Sequence, residues 1–310
     1  MQTVVIALGG NAILRPGQQG LYGEQLESID RTADQIADVI ARGNRVVVTH
    51  GNGPQVGAIV IQNDAGRDQV PAMPLDVCGS MSQGMLGYMI QQRLSAALHS
   101  RGAERCVTTV VTQARVDAED PAFRRPSKPI GPFYSEEEAR AKMRETDETW
   151  VDDAGRGWRR VVPSPDPLQI VESDAIRSLI ANDVVVICVG GGGVPVVRDD
   201  EGLRGVEAVI DKDFASERLA REIDADKLLI LTDVPQVMLN YGEPDEEPLD
   251  EVRLEEAEAY ERQGQFGAGS MGPKVGACLR FVRHGGQAVV TSLDNASTAL
   301  DGKAGTHFSR

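Results

Sequence analysis

The lysines of this chain are only Lys128, Lys142, Lys212, Lys227, Lys274 and Lys303, and arginine supplies nearly all the other positive charge. Lys128, Lys212 and Lys274 stand apart. Each falls in a loop marked by glycine, proline or aspartate, or at a helix start. Lysine acts on phosphate as a compact point charge on a flexible stem. Transfer of a phosphoryl group needs such charges and little covalent chemistry from the protein. A solvated surface position is the ordinary reading of a lone lysine, and Lys142, Lys227 and Lys303 carry no more than that.

Glycine loops are the second chemical signal. Thr49-His50-Gly51-Asn52-Gly53-Pro54-Gln55-Val56-Gly57 follows the apolar run Arg45-Val46-Val47-Val48. Without Cβ atoms, backbone N–H groups at such a loop can come close to an anion. Gly9-Gly10-Asn11, Gly190–Gly193 and Thr232-Asp233-Val234 also follow apolar runs. Any one of these loops reads equally well as a tight turn with no ligand. In a parallel sheet, however, all of them lie on one edge, where ligands bind. The common nucleotide motifs are missing. There is no GxxxxGK[ST], and the loop at Gly51 misses the GxGxxG spacing by one residue.

The elements that must position these groups follow from periodicity. Short apolar runs at Val4–Leu8, Arg45–Thr49, Val107–Thr112, Val184–Val189, Leu228–Leu231 and Ala288–Thr291 predict strands, the first of them buried on both faces of a sheet. Helical spacing is expected over Ser28–Arg42 with Ser28 as N-cap, from about Gln55 to Asp64, over Gln83–Leu98, near Asp174–Ala181 and over Lys274–His284. Alternating strands and helices imply helices packed on a mostly parallel sheet. From Asp117 to Pro167 the texture changes to proline, charge and glycine. Ser135 with Glu138 forms a capping-box pattern. Trp150 and Trp158 flank Asp152-Asp153-Ala154-Gly155, which reads as a hairpin, so an ordered lobe is expected here. Asn240–Glu251 reads as a solvated acidic loop.

Composition sets the limits. The chain has 310 residues, 41% of them hydrophobic and 25% charged, ordinary for a soluble globular protein and enough for one large core. A formal charge of −15 argues against nonspecific nucleic-acid binding and against attachment to anionic membranes. It also means that an anionic substrate needs cations gathered locally. Cys78, Cys106, Cys188 and Cys278 are isolated, which suits free thiols in a reducing compartment. The first apolar run lacks a basic region before it and is too short for a signal peptide or membrane span, so a cytoplasmic protein is expected.

Six ordered blocks give the chain a family resemblance. They are Ala7-Leu8-Gly9-Gly10-Asn11-Ala12, His50 through Gly57, Lys128-Pro129-Ile130-Gly131-Pro132-Phe133-Tyr134, Gly190 through Val196, Glu207-Ala208-Val209-Ile210-Asp211-Lys212-Asp213, and Gly269-Ser270-Met271-Gly272-Pro273-Lys274-Val275. The sequence resembles the carbamate kinases of the amino-acid kinase superfamily over essentially its full length. The resemblance implies an α/β/α sandwich around one mostly parallel, roughly eight-stranded sheet, as a single domain over 1–310. Residues 117–167 match the family's protruding lid. It also implies reversible transfer between ATP with carbamate and ADP with carbamoyl phosphate, Mg²⁺ on the nucleotide, and a homodimer.

By the same resemblance, Lys128, Lys212, Lys274 and Asp213 are the expected catalytic residues. Gly9, Gly10, Asn11, Gly51, Asn52 and Gly53 are expected at the small anion. Asp211, Thr232, Asp233, Val234, Phe266, Met271 and Lys274 are expected at the nucleotide, and no side chain binds metal directly. Many superfamily members carry a phosphate-binding lysine on the first strand, where this chain has Ala7. The Asp211-Lys212-Asp213 loop supplies that charge instead, and either aspartate could be the organising one. The resemblance implies a reaction run toward ATP in arginine catabolism. Another small-acid or phosphate kinase of the superfamily, such as an acetylglutamate, isopentenyl phosphate or fosfomycin kinase, is the nearest competing reading, and carbamoyl phosphate synthesis for biosynthesis is a second. A non-catalytic nucleotide sensor is the competitor from a different class.

Overall fold

The computed structural model describes residues 1–15, 17–153, 155–267 and 271–310. The apolar runs become strands β1 (Thr3–Leu8), β2 (Arg45–His50), β3 (Val107–Thr109), β4 (Val185–Ile187), β5 (Lys227–Thr232) and β7 (Gln287–Ser292), joined by β6 (Glu251–Arg253) and β8 (Thr306–Ser309). These eight strands form one sheet in the order β6-β8-β7-β5-β1-β2-β4-β3. Every neighbouring pair is parallel except β7 with β8.

The helices are α1 (Tyr22–Ala41), α2 (Gly53–Gly66), α3 (Leu75–Ser100), α4 (Glu136–Glu145), α5 (Ser173–Ala181), α6 (Lys212–Glu222), α7 (Leu254–Arg262), α8 (Met271–Arg283) and α9 (Ala296–Leu300). Side chains alternate across a strand, and the core divides accordingly. Val5 and Ala7 of β1 share a cluster with α5, α6 and α8, whereas Val4, Ile6 and Leu8 share one with α1, α3 and α9. The result is the expected three-layer α/β/α sandwich. Burial on both faces is why β1, β2 and β5 read as unbroken apolar runs.

Some expectations need correction. Helix α1 begins at Tyr22, not Ser28. The Glu24 carboxylate accepts the Gly20 and Leu21 N–H groups at 2.9 Å each, which starts the helix upstream. Ser28 is then an interior residue whose hydroxyl bonds back to Glu24 O at 3.1 Å. The stretch Asn240–Glu251 is not wholly loop, because Glu247–Leu249 pairs antiparallel with Val237–Leu239 and Glu251 opens edge strand β6.

Between Asp117 and Pro167 the chain builds its own small sheet. Lys128–Tyr134 pairs with Trp158–Val162, which pairs with Thr149–Asp152, all antiparallel. Helix α4 covers it, with the Ser135 hydroxyl and Glu138 carboxylate capping reciprocally. Trp150 is buried and meets Tyr134 edge-on, ring centroids 5.0 Å apart. Ala154, in the predicted hairpin turn, lies outside the described residues.

Candidate active site

Five chain segments leave the carboxyl edge of the sheet: Gly9–Ala12 after β1, Gly51-Asn52 after β2, Gly190–Gly192 beyond β4, Asp233-Val234 after β5 and Leu293–Asn295 after β7. Close approach explains several of their glycines. A Cβ on Gly9 would lie 2.8 Å from Leu231 O, so only glycine lets β1 end this close to β5. A Cβ on Gly51 would lie 3.3 Å from Lys212 Cδ; the lysine stem runs over the space that a side chain would take. Gly191, at φ +65, faces the Asn52 amide so closely that a Cβ would collide with it. Asn52 in turn donates Nδ2 to Ser82 Oγ at 2.7 Å.

Helix α6 carries the central charges. Asp211 is its N-cap, its Oδ1 accepting the Asp213 N–H at 2.9 Å. Lys212 and Asp213 occupy the first turn, where a carboxylate is favoured by the helix dipole. Lys212 Nζ donates to Asp213 Oδ1, and Lys274 Nζ, from the first turn of α8, donates to Asp213 Oδ2 at 3.3 Å. Burial opposes charge on Asp213, but the two lysines outweigh it and hold the carboxyl below its usual value. Lys128 arrives from the lobe and donates to Asp211 Oδ2 at 2.6 Å. Three lysines and two aspartates therefore gather from α6, α8 and the lobe. Thr49 and Ser216 hydroxyls, 2.6 Å apart, tie the end of β2 to this helix, and Ser216 also donates to Lys212 O at 2.6 Å.

A cavity of about 590 Å³ opens beside the cluster. Of the expected residues it is lined by Gly9, Gly10, Asn11, Lys212, Thr232, Asp233, Val234, Met271 and Lys274. Lys128, Asp211, Asp213, Gly51, Asn52 and Gly53 lie outside that lining. The Phe266 side chain is buried within the core that carries α8, while its neighbours Gln265 and Gly267 line the cavity. Gly269 and Ser270 of the last sequence block lie outside the described residues. The cavity also takes in residues that the sequence did not single out, among them Met238, Tyr241, Gln265, Arg31 and Asp294. Arg31 pairs with Asp294 through two nitrogens, one at 3.1 Å. Tyr241 sits in a stretch whose acidic composition reads as solvent-facing, so no local pattern flagged it.

His50 is buried, with Nδ1 2.9 Å from Gly51 O, and burial pushes its imidazole below the usual value. A Cβ on Gly190 would come 2.6 Å from His50 Nε2. The ring thus fills the space under the Gly190 turn as a neutral packing group.

Lysines gathered at the carboxyl edge of a layered α/β/α sheet suit the charge demands of phosphoryl transfer, and comparison with known proteins gives the class. The amino acid kinase family model matches residues 2–292. The chain is 55% identical to the carbamate kinase of Thermococcus kodakarensis, covering 100% of both chains. It is 48% identical to carbamate kinase 2 of Enterococcus faecalis, over 100% of this chain and 99% of that one. Among solved structures, carbamate kinase from Giardia lamblia bound to AMP-PNP superposes with a TM-score of 0.94 at 48% identity, covering 99% of this chain and 98% of the other. The UMP kinase of Bacillus anthracis, at 15% identity and a TM-score of 0.54, shares the fold alone. The chain belongs to the amino acid kinase family and, within it, to the carbamate kinases.

Proposed function

We infer that this protein is an ATP:carbamate phosphotransferase, interconverting ATP and carbamate with ADP and carbamoyl phosphate, and run toward ATP in arginine breakdown. The observation that carries the reading is the convergence of Lys128, Lys212 and Lys274 on Asp211 and Asp213 in a protein of formal charge −15. Carbamate is already an oxyanion, so its attack on phosphorus needs no general base. The physical problem is to hold two anions in line. In the ATP-forming direction a terminal oxygen of ADP bonds to the phosphorus of carbamoyl phosphate, and the carbamate oxygen leaves with the bonding pair.

Lys212 neutralises charge on the transferring phosphoryl group and Lys274 on the nucleotide phosphates, with Asp213 fixing both ammonium groups. Lys128 pairs with the carbamoyl side, while Gly10, Asn11, Gly51, Asn52 and Gly53 offer backbone and amide donors to the small anion. The nucleotide lies in the cavity between Thr232-Asp233-Val234 and Met271, with Met238 and Tyr241 as apolar walls for the base. Mg²⁺ needs only one or two carboxylates besides phosphates and water. Among the described residues no cluster of His, Cys, Asp or Glu forms a metal cage, and Asp211 has lone pairs left to hold the ion's waters. When bound, Mg²⁺ supplies charge neutralisation on the phosphates. Residues 117–167 act as a lid on a single catalytic domain.

No helix among the described residues is long and apolar enough to cross a membrane. A cytoplasmic homodimer fits the resemblance, and the exposed Met81, Met85 and Tyr88 along α3 offer a surface for the second copy. The test is direct: protein mixed with MgADP and carbamoyl phosphate should form ATP. No ATP above the protein-free rate contradicts the proposal.

A further inference from the structure

Gly57 ends the glycine-rich motif after β2, yet it touches the lobe instead of the other glycine loops. It is buried in α2, and a Cβ there would lie 2.8 Å from Gly131 Cα and 3.1 Å from Gly131 N. Those are backbone atoms, which cannot swing aside as a side chain does. Gly131 has φ +71 and sits where the pairing of Lys128–Tyr134 with Trp158–Val162 loses register. A positive-φ glycine at such an irregularity bends the strand. Arg159 Nε holds the bend from the lobe side, donating to Gly131 O at 3.1 Å. Around the contact, Val56 and Ile59 of α2 share an apolar cluster with Ile130 and Val162 of the lobe and with Leu75 and Cys78 of α3. Lys128 lies three residues before Gly131, roughly 10 Å along the same strand.

We propose that the bare Cα of Gly57 is the seat on which the lobe strand rests, and that Gly57 is a positioning residue that sets the reach of Lys128 into the site. The inference rests on the role given to Lys128 above. A methyl group at 57 would hold the strand off α2 and carry Lys128 away from Asp211. It would also open the shared cluster, in which the Cys78 thiol is now fully buried.

The experiment compares wild type, Gly57→Ala, Lys128→Ala and the double variant in the full-length enzyme. Readouts are kcat for ATP formation, MgADP affinity, and the rate at which a soluble maleimide labels Cys78, followed by peptide mass spectrometry. Gly57→Ala should lower kcat about tenfold, since small misplacements of a charged group are costly. MgADP affinity should stay within about twofold and Cys78 should label several times faster. On the Lys128→Ala background the same change should lower kcat by less than about twofold, the signature of coupling through Lys128. Gly66→Ala controls for helix propensity, because a Cβ there meets only Val70 Cγ2 at 3.9 Å; it should match wild type throughout. Unchanged Cys78 labelling in Gly57→Ala overturns the seat. Equal kcat losses on both backgrounds overturn the coupling to Lys128. If Lys128→Ala itself keeps wild-type kcat, the role of Lys128 falls, and the seat is judged on labelling alone. If Gly57→Ala loses MgADP binding through misfolding, Ile130→Ala loosens the same seat from the lobe side and is judged by the same outcomes.

Discussion

Two halves of the site hold their lysines in different ways. Lys212 and Lys274 extend from α6 and α8, helices packed on the same face of the central sheet, and share Asp213, whose side chain is only 4% exposed. Lys128 comes from the lobe, is 40% exposed, and meets a separate carboxylate, Asp211. The first pair is fixed by the same core that holds the sheet. The third charge is fixed by a strand that rests on α2 through a glycine contact and a small apolar cluster. A charge anchored in the core is present whether or not the lobe is seated; a charge on the lobe is present only when it is. On our reading, the first half meets the nucleotide phosphates and the transferring phosphoryl group, and the second half meets the carbamoyl side.

Breaking the fixed half should cost most. Lys212→Ala removes a donor whose value is realised mainly in the transition state, about 3–4 kcal/mol, so kcat should fall by at least roughly a hundredfold. Circular dichroism should show the fold intact. More than a tenth of the wild-type rate would move Lys212 out of the transferring-phosphoryl site.

Asp213→Asn tests the same half through stability. Removing one member of a buried charge cluster costs about 3 kcal/mol. Because Lys212 and Lys274 hold the Asp213 carboxyl below its ordinary value, its contribution is complete above the unfolded value near pH 4. It is lost as pH falls through the lower, folded value. Denaturant titrations should therefore show a gap between wild type and Asp213→Asn at pH 7 that narrows toward pH 3. A gap independent of pH would mean that the carboxylate charge is not what stabilises the cluster.

A smaller effect lies further along α6. The side chain of Glu217 is almost fully buried, and neither carboxylate oxygen has a hydrogen-bond partner among the described residues; Arg221 lies 3.5 Å away. Burial pushes this carboxyl up, against the pull of Arg221, Arg218, Arg280 and His284. An acid with a raised folded value costs stability as pH rises above its unfolded value near 4.3. Glu217→Gln should thus raise Tm modestly at pH 7.5 and leave it unchanged near pH 4. A variant less stable at pH 7.5 would show that Arg221 more than offsets the burial.

The same contrast explains what was legible in the sequence. Strands β1, β2, β5 and β7 are buried on both faces, so their apolar runs announce them. The edge strand Glu251–Arg253 and the pair Val194–Asp199 with Gly202–Gly205 hide in charged or glycine-rich text, since they are short or half exposed. The lysines stood out because the chain otherwise uses arginine. Their pairing with two different aspartates did not, since it depends on how α6, α8 and the lobe meet. The far cavity wall at Met238, Tyr241 and Gln265 is likewise a product of tertiary folding.

The division of labour is tested most directly by calorimetric MgADP titrations of Lys128→Ala and Lys274→Ala, read beside their kcat values. Lys274→Ala should weaken MgADP binding about tenfold or more, the loss of one charge-assisted contact. Lys128→Ala should leave MgADP affinity within about twofold while lowering kcat by at least about tenfold. If the two variants lose nucleotide affinity and turnover in equal proportion, the two halves of the site are not distinct.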